Sequence, residues 1–493
     1  MGRNNVKEKF LYEIWKKQNF IQNLKTKAGD SIEVLDSGVE NKDTGGPDFK
    51  NARIKIGSLT FCGDIEIDGS YSDWKNHGHN LNKRYNKVVL HAVLQSSFKQ
   101  THVFTSDGRK VQSISIEECI ASGLRSALHE AILTERNNRI YTMPCSELVK
   151  ELSENEKIDI ITQLGIQRFK NKKNRFYNRI KELKYLAEMN LKEPVVNYDY
   201  DETQLEKYSS PDDFKSTILW QQLIYESIFE ALGYSKNKEI MLKLAKTSDI
   251  NFLSSFLSRD NFVRFVESAL FNISGLMPDI YNLPDEETSE YTRSLAKYWT
   301  EIKPTYDGTT FNQEDWHFYG QRPMNFPTIR IAGGSILVHR ILKENLIHRM
   351  FKFMEQVEDT GRLEKIIKNL IIVEAHGYWL NHYVFDKPSD ARIQYFVGAS
   401  RADEIVVNII LPIANLYFEI FGKEKAAKNV LKLFVNYSQQ SENKLVNEIS
   451  DSFGLRRVKK RAVLYQGMIE LFRNNCGYVE ACKECPMGRK VFQ

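Results

Sequence analysis

Two short acidic segments near the amino end hold the residue types that ligate a hard divalent cation. GGPDF (Gly45–Phe49) presents Asp48 at the mouth of a β-branched run, and GDIEID (Gly63–Asp68) carries Asp64, Glu66 and Asp68 at alternate positions. Side chains on a strand alternate with period two, so these three acids share one face. With a turn at Gly57 the two runs form an antiparallel hairpin that brings Asp48 and Glu66 to one end of a sheet. Acids crowded this way repel unless a cation sits among them. Mg²⁺ or Mn²⁺ held by Asp48, Asp64, Glu66 and Asp68 would polarise a phosphate and activate water. The alternative is a solvated acidic strand face after an ordinary Pro-Asp turn.

The next segment, SDWKNHGHNLNKRYN (Ser72–Asn86), reads as a second helix, capped by Ser72 and Asp73 and packed through Trp74. Lys75, His77, His79 and Tyr85 lie along it. His77 and His79 could hold zinc, although metal-binding pairs on one helix face sit three or four positions apart, not two. His91, inside the apolar run KVVLHAVLQ, reads as a hydrogen-bonded core histidine.

A second group of ligand types closes the sequence. Cys476, Cys482 and Cys485 stand in C-x5-C-x2-C spacing, which supplies three thiolates to one tetrahedral ion or cluster, either [4Fe-4S] or Zn²⁺. A fourth ligand must come from elsewhere; Cys145 in TMPCSEL is the first candidate and Cys62 the second. A reduced cysteine group without metal is the plainer alternative.

The elements that must position these residues are α+β in class. Helical spacing of Leu11, Ile14 and Trp15 is followed by SIEVLDSG, ARIKIGS and LTFCGDIEI, then the second helix and KVVLHAVLQ, an αβββαβ order. From Ile116 onward periods of three to four dominate, so a large all-helical region is expected. Four segments result: a core at 1–112, a helical linker region at 113–205, a helical domain at 206–470 and the cysteine cluster at 471–493. Two basic runs, RFKNKKNRFYNRIKELK from Arg168 and RRVKKR from Arg456, are candidates for phosphate contact or for solvated helix faces. Arg322 and Arg330, in WHFYGQRPMNFPTIRIAGG, are candidates to meet a phosphate or a carboxylate from an ordered loop.

Composition bounds the function class. The 493 residues are 42% hydrophobic and 27% charged with 12 prolines, which excludes a disordered or fibrous chain. A net charge of +5 permits nucleic acid as partner only where positive charge is clustered. No run reaches the roughly 18 apolar residues that span a bilayer, and six sparse cysteines do not form a secreted disulfide framework. These features predict a cytoplasmic protein without a membrane partner.

Pro47-Asp48 followed by Glu66-Ile67-Asp68 resembles the PD-(D/E)xK nuclease superfamily, in which a Pro-Asp element and a strand bearing Glu-x-Lys build a metal site. The resemblance implies a restriction-endonuclease-like core, metal-dependent cleavage of DNA or RNA, and a catalytic lysine whose place Asp68 occupies here. Lys75, Lys83, His77 or His79 would then take over that role, Asn82 and Tyr85 would match the polar and tyrosine pair of some exonuclease-type members, and Glu13 would be the extra acid many members carry. A nuclease fold that kept nucleic-acid binding or a scaffold role without turnover is the alternative. Over nearly the whole chain, GGPDF, GDIEI, SDWKNHGH, VVLHAV, QRPMNFPTIRIA, WLNHYVF and YQGMIELFRNNC resemble a bacterial family known as domain of unknown function 2851.

Overall fold

The alternation read from the sequence builds a sheet. In the computed structural model, Phe49, Ala52 and Ile54 are buried along strand β4 (Phe49–Ile56), while polar neighbours between them are not. The structure describes residues 6–18, 20, 23–27, 29–41, 46–94, 100–117, 119, 145–193, 202–280, 287–318, 321–389, 391–440, 443–456, 458, 460–476 and 484–491. The chain separates into two compact units, one of residues 1–141 with 317–326 and one of 142–316 with 327–493.

In the first unit, helix α1 (Val6–Lys17) is followed by β1 (Leu24–Lys25), β2 (Ser31–Asp36), β3 (Val39–Glu40), β4 and β5 (Leu59–Asp68). After the one-turn helix α2 (Asp73–Asn76) come β6 (Val88–Val93), β7 (His102–Phe104) and β8 (Lys110–Ser115). They form one sheet in the order β1-β2-β4-β5-β6-β8-β7, with β3 added against β4. The β4–β5 hairpin turns at Gly57, which takes a positive φ of 58°. β5 runs parallel to β6, and β6 parallel to β8. Flanked on both sides, β6 is buried at every position, which is why its sequence is a continuous apolar run. Leu11 and Trp15 of α1 pack with Phe49, Ile54, Ile65, Ile67 and Leu90 into the main core. Ile65 and Ile67 therefore point to the α1 side, and Asp64, Glu66 and Asp68 to the other. A smaller cluster holds Trp74, Tyr85, Val88, Val103 and Val111.

Parallel strands need a crossover, and the one between β5 and β6 differs from expectation. The helix anticipated over Ser72–Asn86 is only α2 followed by two 3₁₀ turns, His79–Leu81 and Lys83–Tyr85. Gly78, with φ 77°, ends α2 in the left-handed region, which a helix cannot continue through.

The second unit is mainly helical but not wholly so, because among the described residues two short two-stranded ribbons interrupt it. Helix α3 (Ser146–Val149) precedes the 35-residue α4 (Glu154–Glu188), whose start is set by a Ser153–Glu156 capping box. Later come α5 (Thr217–Leu232), α6 (Pro327–Leu342), α7 (Leu346–Gln356), α8 (Leu411–Ile420), α9 (Ala462–Asn475) and α10 (Pro486–Val491). α4 and α9 cross with backbones in contact. A Cβ on Gly165 would stand 2.0 Å from the Val463 carbonyl oxygen, and one on Gly467 2.0 Å from that of Ile161.

The basic run of α4 is largely consumed inside this unit. Arg168 pairs with Glu470, Lys173 with Glu419, Arg175 with Glu230, and Arg179 with Glu182, Glu193 and Glu226. Lys172 is enclosed, donating to Asn408 and Gln466. Arg330 lies on α6, not in a loop, and donates to the Phe396 carbonyl; Arg322 is exposed. Most of the helical pattern expected just after Ile116, at 118 and 120–133, and part of RRVKKR lie outside the described residues. Among the described residues no helix is long and apolar enough to cross a membrane.

Candidate metal centre

Strand β5 ends in a carboxylate ladder that the crossover covers with imidazoles. Glu66 and Asp68 are buried, at 0% and 4% exposure, and His79 is buried at 0%. One ligand atom each from Asp68, His77 and His79 lie within 4.8 Å of one another. His77 Nδ1 is 3.2 Å from Asp68 Oδ1, and His79 Nδ1 is 3.4 Å from Glu66 Oε1 and 3.6 Å from Asp68 Oδ2. Two ligands each about 2.1 Å from one ion stand about 3.0–3.4 Å apart at right or tetrahedral angles. The three separations match that spacing within about 0.2 Å, and the two made by His79 are longer than a good N–H···O hydrogen bond.

Gly78 creates this convergence. On a continuous helix, side chains two apart diverge by about 200°. The left-handed residue between His77 and His79 reverses that divergence and turns both rings toward Asp68. A side chain does not fit at this turn, since a Cβ on Gly78 would meet Phe326 Cζ at 2.6 Å. Trp74 meets the His79 ring edge-on at 5.2 Å, and Tyr85 stacks on it at 4.2 Å and 9° while donating to the Gly46 carbonyl at 3.1 Å. Tyr85 thus holds an imidazole.

A further histidine orients the carboxylate. His91 Nε2 lies 3.1 Å from Asp68 Oδ2, and its Nδ1 lies 3.0 Å from Ser113 Oγ. With Asp68 ionised, Nε2–H donates to it, while the Ser113 hydroxyl fixes the ring from its Nδ1 side. Burial works to raise the Asp68 carboxyl, but His79, His77 and His91 outweigh it and hold it well below the usual carboxylate range. Burial pushes the His79 imidazole down to about 3 against the pull of Asp68, so it is neutral near pH 7, the form that ligates metal.

Asp48 lies beside Glu66, but the contact is made by its backbone: the Asp48 N–H donates to Glu66 Oε2 at 3.2 Å, and neither Asp48 nor Asp64 is in the group of Asp68, His77 and His79. The Asp48 carboxylate accepts from the Tyr12 hydroxyl and, at 2.8 Å, from the Ile67 N–H. Asp64 accepts from the Asn51 N–H at 3.1 Å, where Asn51 takes φ 58° in the irregular stretch of β4 between Phe49 and Ala52. Asp64 therefore anchors a bulge. Lys75 and Lys83 are exposed, and the Glu13 side chain lies outside the described residues. His91 is the buried, hydrogen-bonded histidine its apolar run implies, whereas two-residue spacing on a helix gives His77 and His79 little weight as a pair. The signal for the pair was the glycine between them.

Of the cysteines, Cys145 is buried immediately before α3 and Cys485 is buried immediately before α10, and these two helices are in contact. Cys476 is partly buried at the end of α9, Cys62 is exposed on β5, and Cys482 lies outside the described residues.

Fold and site together define a mixed α+β protein with a buried carboxylate–imidazole centre on a sheet. The chain belongs to the family described as "Protein of unknown function (DUF2851)", which matches residues 8–191 and 213–444. No curated protein and no solved structure matches it.

Proposed function

We propose that the first unit is the hydrolytic core of a metal-dependent phosphodiesterase acting on DNA or RNA. The observation that carries this reading is the convergence of Asp68, His77 and His79 beside Glu66 in a buried pocket of ligand atoms. An antiparallel β4–β5 hairpin followed by a crossover to parallel β6, with Asp48 at its root and Glu66 on β5, also agrees with the order that a PD-(D/E)xK core implies. Two imidazoles among the donors favour Mn²⁺, Zn²⁺ or another first-row transition ion over Mg²⁺, which prefers oxygen. Held by Asp68, His77 and His79, such an ion would supply Lewis acidity to a phosphate and lower the pKa of water, the task the absent lysine leaves open. Within the chain, His91 and Ser113 hold Asp68, Tyr85 holds His79, and Tyr12 with the Ile67 N–H holds Asp48 next to Glu66.

The test is to strip metal from the protein, restore Mn²⁺, Zn²⁺ or Mg²⁺, and follow labelled single- and double-stranded DNA and RNA. Asp68→Asn, His77→Ala and the pair Asp48→Ala with Glu66→Ala are expected to lose turnover while remaining folded by circular dichroism. Turnover unchanged in these variants would overturn the site. Asp68 in the lysine position favours a second reading, a nuclease fold that binds nucleic acid without cutting it. Binding without metal-dependent turnover on every substrate supports that reading instead.

We also propose a second metal, zinc or a [4Fe-4S] cluster, at Cys145, Cys476, Cys482 and Cys485. Burial of Cys145 and Cys485 at the starts of two contacting helices supports it. Iron and zinc analysis with a visible spectrum after anaerobic purification tests it, and absence of both metals would refute it.

A further inference from the structure

The second unit contains a cavity of about 560 Å³ between the start of α5, helix α7 and the end of α8. Its volume falls within the roughly 300–1,000 Å³ that small-molecule sites occupy. Two kinds of residue line it. Tyr417 and Phe421 are partly exposed there and pack ring against ring at 4.7 Å. Behind them Trp220 meets Tyr417 edge-on at 5.1 Å and is fixed by its Nε1–H donating to the Phe214 carbonyl at 2.8 Å, so the aromatic floor is rigid.

The rim is cationic. Lys215, Lys352 and Lys423 line the cavity with His348, against one lining carboxylate, Glu355. Lys423 pairs with Glu355, and Lys215 pairs with Asp212 outside the lining at 2.7 Å. Lys352 is exposed and has no ion pair among the described residues. α5 begins at the same rim, and its N-cap Ser216 makes no side-chain cap, so the positive end of a 16-residue helix adds to the lysines.

An aromatic floor under a cationic rim selects a ligand with a flat ring at one end and an anion at the other. Aromatic side chains stack on any base, and lysines with a helix start meet phosphate. We propose that this cavity binds a nucleoside 5′-phosphate, free or as the phosphorylated end of a single strand. The base lies on Tyr417 and Phe421, and the phosphate is met by Lys352 with Lys215 and His348. This site needs no metal and is independent of the centre on β5.

The test is isothermal titration of the full-length protein in excess EDTA with adenosine 5′-monophosphate, adenosine, inorganic phosphate and a 5′-phosphorylated oligothymidylate. Saturable binding of the monophosphate, tighter than adenosine or phosphate alone, is expected. Lys352→Glu should weaken it about tenfold or more, Lys352→Arg should retain it, and Tyr417→Leu should weaken it. Binding of the phosphorylated strand alone would identify a strand end as the occupant. Four results overturn the proposal: no saturable binding of monophosphate or strand; adenosine binding as tightly as the monophosphate; phosphate binding as tightly; or affinity unchanged in Lys352→Glu.

Discussion

Replacing Gly78 by alanine should damage the metal centre although Gly78 contributes no ligand. Two costs arise. A non-glycine residue at φ 77° costs about 1–2 kcal/mol, and the new Cβ would stand 2.6 Å from Phe326 Cζ. Phe326 cannot retreat easily, because it is fully buried and packed edge-on against Phe318 at 5.1 Å. Overpacking of that kind costs about 1–3 kcal/mol. If the turn holds its shape, the first unit should therefore lose about 2–5 kcal/mol in all. If the turn moves instead, relieving the contact to an ordinary 3.5–4.0 Å takes about 1 Å of motion. Metal–ligand distances tolerate only about 0.2 Å, so His77 and His79 would leave bonding range. Urea denaturation in EDTA measures the first outcome, and titration of Mn²⁺ or Zn²⁺ into metal-free protein the second. Gly108→Ala is the control, since it has φ 80° and nothing within 4 Å of its Cβ. It should cost only the same backbone term of about 1–2 kcal/mol and leave metal affinity alone. If Gly78→Ala matches Gly108→Ala in both stability and metal affinity, the account of how the histidines converge is wrong.

Three other perturbations follow from the packing. His91→Ala should weaken metal binding about 10–100-fold by releasing Asp68, and Ser113→Ala should weaken it less, both read by competition with a chromophoric chelator. Gly165→Ala should destabilise the second unit by about 3 kcal/mol or more, because its Cβ would lie 2.0 Å from a backbone carbonyl, while metal titration stays at the wild-type value. Burial raises Glu267 to about 7 against the pull of Arg264, which pairs with it at 2.8 Å. The folded state thus keeps a proton that the unfolded chain releases above about 4.5. That contribution is fully present below pH 4.5 and is lost as pH rises through 7. Chemical denaturation across this window should show stability falling with pH in the wild type and a flatter profile in Glu267→Gln; equal slopes would refute the assignment.

Local pattern was enough for much of the first unit. Period-two alternation, a glycine at residue 57 and an unbroken apolar run identify the β4–β5 hairpin and the central β6, because each depends on neighbours in the chain. The placing of Asp48 beside Glu66 followed from that hairpin. Long-range contact decided the rest. A capped run from Ser72 to Asn86 reads as a helix, yet Gly78 breaks it where Phe326, some 250 residues away, leaves no room for a Cβ. The cations of α4 look like a phosphate-binding face until acids from distant segments neutralise them. Sequence alone determined which carboxylates share the face of β5, since strand geometry repeats every two residues. Only the tertiary structure decided that two imidazoles separated by a glycine come down on that face, and that a third, from β6, holds the last acid in place. Those contacts depend on a left-handed turn and on strand order, neither of which local spacing encodes.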